Sequence, residues 1–149
     1  MKLKEINFLK SEIRKYYEEN KTEYPYLIEQ REWGFGYDKK IDFRHKKFEN
    51  NETLKKYLIN NAPLYVSYSI ARYVAPEAKP MENKLLKGSD LVFDIDVHGC
   101  PNHPDKFVCE ECLNKGKNEV IKLIENFLVP DFGIKKNEIS INFSGNRGY

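Results

Sequence analysis

The sequence predicts one mixed α/β domain in the α+β arrangement, and three observations carry that prediction. Helical and strand-like runs are interspersed, apolar content suffices for a packed core, and no repeat, low-complexity tract or linker divides the chain. Hydrophobic residues make up 40% and aromatic residues 13% of the 149, a composition that buries a core rather than remaining disordered. Charged residues make up 32%, yet the net charge is only +2. Bulk charge therefore cannot drive nucleic-acid binding, and any basic site must be local. No apolar run approaches the ~20 residues of a membrane span, and the opening "MKLKEINFLKSEIRKYYEEN" is too charged for a secretory signal. Three cysteines, an odd number, argue against a disulfide framework and for an intracellular, reduced protein.

Each element follows from its own pattern. From about Lys4 to Asn20, Ile6, Leu9, Ile13 and Tyr16/Tyr17 recur at helical spacing between charges, which predicts an amphipathic helix. Residues 31–48 combine aromatics, glycines and alternating charge, as in one or two short strands with turns. In "NNETLKKYLIN", Leu54, Tyr57 and Leu58 share a helical face, with Asn50 or Asn51 as the cap. "APLYVSYSIARYVAP" alternates, placing Leu64, Val66, Tyr68 and Ile70 on one face of a strand. Residues 90–97 predict a second strand. Val120, Ile121, Ile124, Phe127 and Leu128 predict a helix within 115–133, ended by Pro130 and Gly133. Ile139, Ile141 and Phe143 predict a last strand, running into "SGNRGY".

Two carboxylates interrupt "DLVFDIDVH". Alternation puts Leu91, Phe93, Ile95 and Val97 toward the core and Asp94, Asp96 and His98 on the opposite face. Carboxylates at i and i+2 stand roughly 6–7 Å apart, close enough to share two divalent cations about 4 Å apart. Without cations the like charges repel and favour protonation. Oxygen donors of this kind suit Mg²⁺ or Mn²⁺. The alternative is an exposed strand face carrying ordinary charges.

Just downstream stands Cys100-x2-His103-x5-Cys109-x2-Cys112. Three thiolates and an imidazole in two close pairs make a tetrahedral zinc set, and four protein ligands leave no open position, so such a zinc is structural. The alternative is a chance cluster of thiols.

The motifs together resemble the small, catalytic subunit of archaeal and eukaryotic DNA primases. "REWGF" (Arg31–Phe35) is similar to that family's R-E-[FW]-x-F element, and "IDFRHKKF" (Ile41–Phe48) to its arginine-bearing strand. "DLVFDID" (Asp90–Asp96) resembles the catalytic strand, with a Cys/His knuckle after it. "FSGNRG" (Phe143–Gly148) resembles the S-G-x-R-G nucleotide-binding turn.

The resemblance implies a primase-type catalytic domain over residues 1–149, incomplete, with a structural Zn²⁺ knuckle inserted at 98–113. It implies that Asp94 and Asp96 hold two catalytic Mg²⁺ or Mn²⁺ ions. Ser144 and Arg147 would meet the incoming nucleotide's phosphates, helped by backbone N–H groups near Gly145 and Gly148. Glu32 and Arg44 would line the nucleotide pocket. The implied reaction is nucleotidyl transfer from nucleoside triphosphates on a single-stranded DNA template, within a replisome and with a primase large subunit as partner. From the residues alone, Arg147 could be a solvated turn residue and Glu32 a surface charge on an edge strand. Arg44, His45, Lys46 and Lys47 could be a solvated basic run or, interleaved with Phe43 and Phe48, a template contact.

The chain departs from the family pattern at three points. A histidine that follows the S-G-x-R-G turn would come after Tyr149, a third metal carboxylate has no counterpart, and Asn146 stands where eukaryotic members often carry arginine. The expectation is the front portion of a primase with two of three metal carboxylates, weak or inactive alone, unless a second chain supplies the rest. Truncation, gene splitting or an inserted element would each produce that end. The rival expectation is a non-catalytic zinc-bearing adaptor for nucleic acid or protein. A metal-dependent nuclease is chemically close but has no need of the S-G-x-R-G turn.

Overall fold

Periodic apolar residues fold the first segment into a helix, α1 (Leu3–Glu19). The computed structural model describes residues 3–19, 22–38, 40–98, 100–102, 108–143 and 148. Two units share the chain, Met1–Leu91 and Val92–Tyr149, and the helix-and-sheet mixture expected from the sequence is observed. No described helix is long and apolar enough to cross a membrane.

In the first unit, β1 (Trp33–Gly36) is the central strand of an antiparallel sheet, flanked by β2 (Phe43–Lys46) and β3 (Tyr65–Tyr68). Trp33 pairs with Lys46 and Phe35 with Phe43. Two residues of β1 are thus spanned by three of β2, which makes a bulge. His45 lies in that bulge at φ +62°, a left-handed conformation uncommon outside glycine. Gly36 is required because a side chain there would overlap the Lys40 carbonyl of the β1–β2 turn.

Helix α2 (Asn51–Asn61) is started by Asn50, whose side chain accepts from Thr53 N at 2.9 Å. Leu54 and Leu58 are its buried residues, and with Ile28, Trp33, Phe35 and Phe48 they form the core. Phe48 packs edge-on to Trp33 and Phe35, with ring centroids 6.1 and 5.9 Å apart. It is therefore a core residue, not half of a template-facing pair with Phe43.

The strand expected over 62–76 is two strands in different sheets. β3 ends at Tyr68, and β4 (Ala71–Tyr73) pairs with β5 (Leu86–Ser89). The break has a local cause: Ser69 Oγ donates to Ala71 O at 2.6 Å and accepts from Glu32 N at 3.0 Å. A side chain that captures nearby backbone groups in this way competes with the ladder.

In the second unit, α3 (Glu110–Leu123) leads through a π-helical turn (Ile124–Leu128) into α4 (Val129–Phe132). The helix begins earlier than its apolar periodicity indicates, and Pro130 does not stop it. Proline lacks an N–H and crowds the carbonyl four residues back, and a widened turn relieves both. Gly133 ends the helix at φ +66°, the left-handed cap glycine favours.

Two expected strands are not formed. Residues 91–95 lie outside strands, and Asp96 makes a single antiparallel bridge to Gly148. Leu91 and Phe93 are exposed instead of facing a core, and so are Ile141 and Phe143, whose segment 139–143 is also irregular. Alternation prepares a strand, but a ladder needs a neighbour; for these stretches the described residues supply one only at Gly148.

Truncating Leu54→Ala in this core should cost about 2–5 kcal/mol and losing the Asn50→Ala cap about 1 kcal/mol. Urea unfolding of both variants checks the order; equal midpoints would contradict it.

Candidate functional site

In the first unit the polar centre is Glu32, just ahead of the central strand and only 5% exposed. It is a buried charge and not a surface residue of an edge strand. Its Oε2 lies 3.4 Å from Lys84 Nζ. Its Oε1 accepts from His45 N at 3.2 Å and lies 3.3 Å from Arg44 Nε. Lys84 is fully buried, donates to the Pro76 carbonyl, and lies 5.7 Å from the Tyr73 ring centroid. Buried ions persist only when paired and hydrogen-bonded, and each member of this set has such partners.

Beside the cluster is a pocket of about 270 Å³, lined by Glu32, Gly34, Ile41, Arg44, Ser67, Tyr68 and Ser69. The Arg44 side chain is 59% exposed. Two residues expected from the sequence, Glu32 and Arg44, are thus brought together, and Lys84, His45 and Ser67 are added to them. Nothing in "PMENKLLKG" distinguishes Lys84 from a solvated lysine.

Arg31 is equally buried. Its Nε donates to Tyr26 O at 2.8 Å, its Nη1 to Ser69 O at 2.9 Å and Ile70 O at 3.3 Å, and its Nη2 lies 2.7 Å from Asp90 Oδ2. The Arg31 guanidinium is consumed by structure, which separates it from the exposed guanidinium of Arg44.

His45 is pushed below the ordinary histidine range, first by burial and then by the positive charges of Lys84, Lys79 and Arg44, with Glu32 pulling the other way. The neutral ring is therefore favoured in the folded chain.

In the second unit Asp94 and Asp96 are both exposed. Asp96 is held at its bridge to Gly148, where any side chain at 148 would overlap Asp96 Oδ1. Glycine at the end of the S-G-x-R-G motif thus makes room for that carboxylate. His98 Nε2 lies 3.7 Å from Asp96 Oδ2. Two accessible carboxylates two residues apart are hard oxygen donors suited to Mg²⁺ or Mn²⁺. Ser144, Gly145 and Arg147 lie outside the described residues.

The three cysteines converge. Cys100 and Cys109 sulfurs are 4.0 Å apart, Cys109 and Cys112 sulfurs 3.7 Å, and all three lie within 4.8 Å of one another. Thiolates at tetrahedral positions about 2.3 Å from an ion stand about 3.8 Å apart, so the trio can hold a metal ion. A backbone hydrogen bond with Cys109 favours the Cys112 thiolate, but burial and the neighbouring thiols outweigh it and push the Cys112 thiol up. A cation between the sulfurs removes that penalty. His103, the expected fourth donor, lies outside the described residues.

No protein-family model matches the chain. It is 41% identical over 152 aligned residues to the DNA primase small subunit of Methanocaldococcus jannaschii, covering 93% of this chain and 43% of that protein. Against the DNA primase small subunit of Methanothrix thermoacetophila the identity is 37% over 152 residues, covering 100% and 38%. Against that of Thermoplasma acidophilum it is 39% over 137 residues, covering 92% and 42%. The chain spans about two fifths of the length of these relatives.

A lowered histidine pKa gives the folded state fewer bound protons than the unfolded chain. The stability His45 confers is thus present above the unfolded value of about 6.5 and lost as pH falls through the lower folded value. His45→Asn, which tolerates the left-handed conformation, should flatten the decline of Tm just below that value. An unchanged decline would rule His45 out as its source.

Proposed function

Because the chain resembles archaeal DNA primase small subunits over nearly its whole length, we propose that it serves template-directed primer synthesis by nucleotidyl transfer. That similarity is the observation that carries the proposal. The side chains support it, since exposed carboxylates at Asp94 and Asp96 and a pocket bearing Arg44 are the means such a reaction needs.

In this proposal the catalytic domain takes in the whole chain, with a zinc knuckle inserted at 98–113. Asp94 and Asp96 hold the Mg²⁺ or Mn²⁺ ions, which supply activation of the attacking 3′-hydroxyl and charge neutralisation at the leaving pyrophosphate. Gly148 leaves space for Asp96 and, with Ser144, Gly145 and Arg147, cradles the triphosphate through backbone N–H groups and a guanidinium. Arg44 presents its guanidinium to the nucleotide, and Glu32 orients it. Cys100, His103, Cys109 and Cys112 hold a structural zinc that pins the start of α3. The partners are a primase large subunit, a single-stranded DNA template and nucleoside triphosphates. The setting is a cytoplasmic replisome.

Binding of ATP with Mn²⁺ tests the carboxylates: Asp94→Asn with Asp96→Asn should weaken it by about tenfold or more, since 1.4 kcal/mol suffices. Unchanged binding would favour the zinc-bearing adaptor. Metal content tests the knuckle. The purified chain should carry one zinc per molecule and Cys112→Ser should lose it; equal zinc in both would remove the assignment.

A further inference from the structure

We propose that Lys84 is a positioning residue of the pocket: its buried ammonium fixes the Glu32 carboxylate, which in turn holds Arg44 with its terminal nitrogens directed to a ligand phosphate. This inference rests on the reading of that pocket as a nucleotide site.

The division of contacts at Glu32 carries it. Oε2 faces Lys84 Nζ, and Oε1 is turned to the β2 bulge, where it accepts from His45 N and lies 3.3 Å from both His45 Nδ1 and Arg44 Nε. Lys84 is fully buried and has no competing carboxylate among the described residues. Its only other partners there are the Pro76 carbonyl and the Tyr73 ring. The pair therefore has one arrangement available. An ionised Glu32 so anchored accepts from the backbone N–H of the left-handed His45, which stabilises the bulge that carries Arg44. Glu32 engages Arg44 through Nε, leaving the two Nη groups without partners among the described residues. Paired guanidinium N–H groups match a phosphate's oxygens. Charge points the same way. One carboxylate against Lys84 and Arg44 leaves the cluster at +1, and without Lys84 it is neutral, so the attraction for an anion would fall.

Lys84→Met keeps most of the unbranched side chain and removes the ammonium. A purely structural role would change stability alone, so Leu54→Ala, which is not among the residues that line the pocket, serves as the destabilised control. Both variants are measured well below their melting temperatures. With ATP and Mn²⁺ as the probe, Lys84→Met should bind about tenfold more weakly than Leu54→Ala, the scale of one charged hydrogen bond. The Arg44 Hε NMR signal should be slowed in exchange by the ion pair with Glu32 and should disappear in Lys84→Met. Affinity equal to that of Leu54→Ala, with the Arg44 signal retained, would overturn the proposal. Should Lys84→Met not fold, Lys84→Gln, which keeps a neutral donor, is read by the same two measurements. Arg44→Ala separates the underlying reading: undiminished ATP binding there would mean that the pocket is not a nucleotide site, whatever Lys84 does.

Discussion

The first unit depends on the Arg31 guanidinium, buried to 1% exposure and shared among three pieces of chain. It binds the carbonyls of Tyr26, Ser69 and Ile70 and the carboxylate of Asp90. Those contacts fix the approach to the central strand, the corner between β3 and β4, and the residue after β5. The Asp90 side chain is 41% exposed, so solvent screens that ion pair. The hydrogen bonds to carbonyls, which have no charge of their own to desolvate, are the firmer part of the arrangement. Arg31 thus holds Ser69 O and Ile70 O at the corner where β3 gives way to β4, while Ser69 N bonds Glu32 O and Ile70 O also accepts from Asp90 N.

The next residue, Glu32, repeats the device with the opposite sign. It is buried with Lys84 while reaching the bulge of β2. Two adjacent residues thus bury a cation and an anion at the entry to the central strand, each with partners distant in sequence. Such a framework is stiff because no member can leave without stranding another. Its functional product is an asymmetry between two arginines. Arg31 is spent wholly on structure, whereas Arg44 is tethered by one nitrogen and exposed at the rest. A guanidinium held in place in advance of binding loses less entropy when a ligand arrives.

What the sequence revealed follows the range of the interactions involved. Helices α1 and α2 and the Asn50 cap are set by neighbours within four residues, and the periodicity of Leu54 and Leu58 sufficed to find them. The hairpin of β1 and β2 announced itself by aromatic residues around glycines. Lys84 remained hidden because burial of a lysine is decided by a carboxylate 52 positions away, and no local pattern marks it. β5 was hidden too, since "LKGS" has no alternation to read. The reverse error occurred at 90–97 and 139–143, where alternating apolar residues express strand preference while pairing depends on a neighbour. The cysteine spacing was legible because chelation is itself a local geometry. Pro130 misled as a stop, since a π turn absorbs the crowding that ends most helices.

The close approach of the three sulfurs has a consequence for oxidation chemistry. Cys109 and Cys112 sulfurs at 3.7 Å need move only about 1.7 Å closer to reach disulfide distance. A bond between them would withdraw two of the three thiolate donors at once and expel whatever ion they hold. The ability of this loop to keep a metal is therefore also a redox property. A bound cation and an oxidant compete for the same electron pairs, and the ion shields the thiols for as long as it stays. Oxidation of that pair would leave Cys100 as the one thiol donor of the trio.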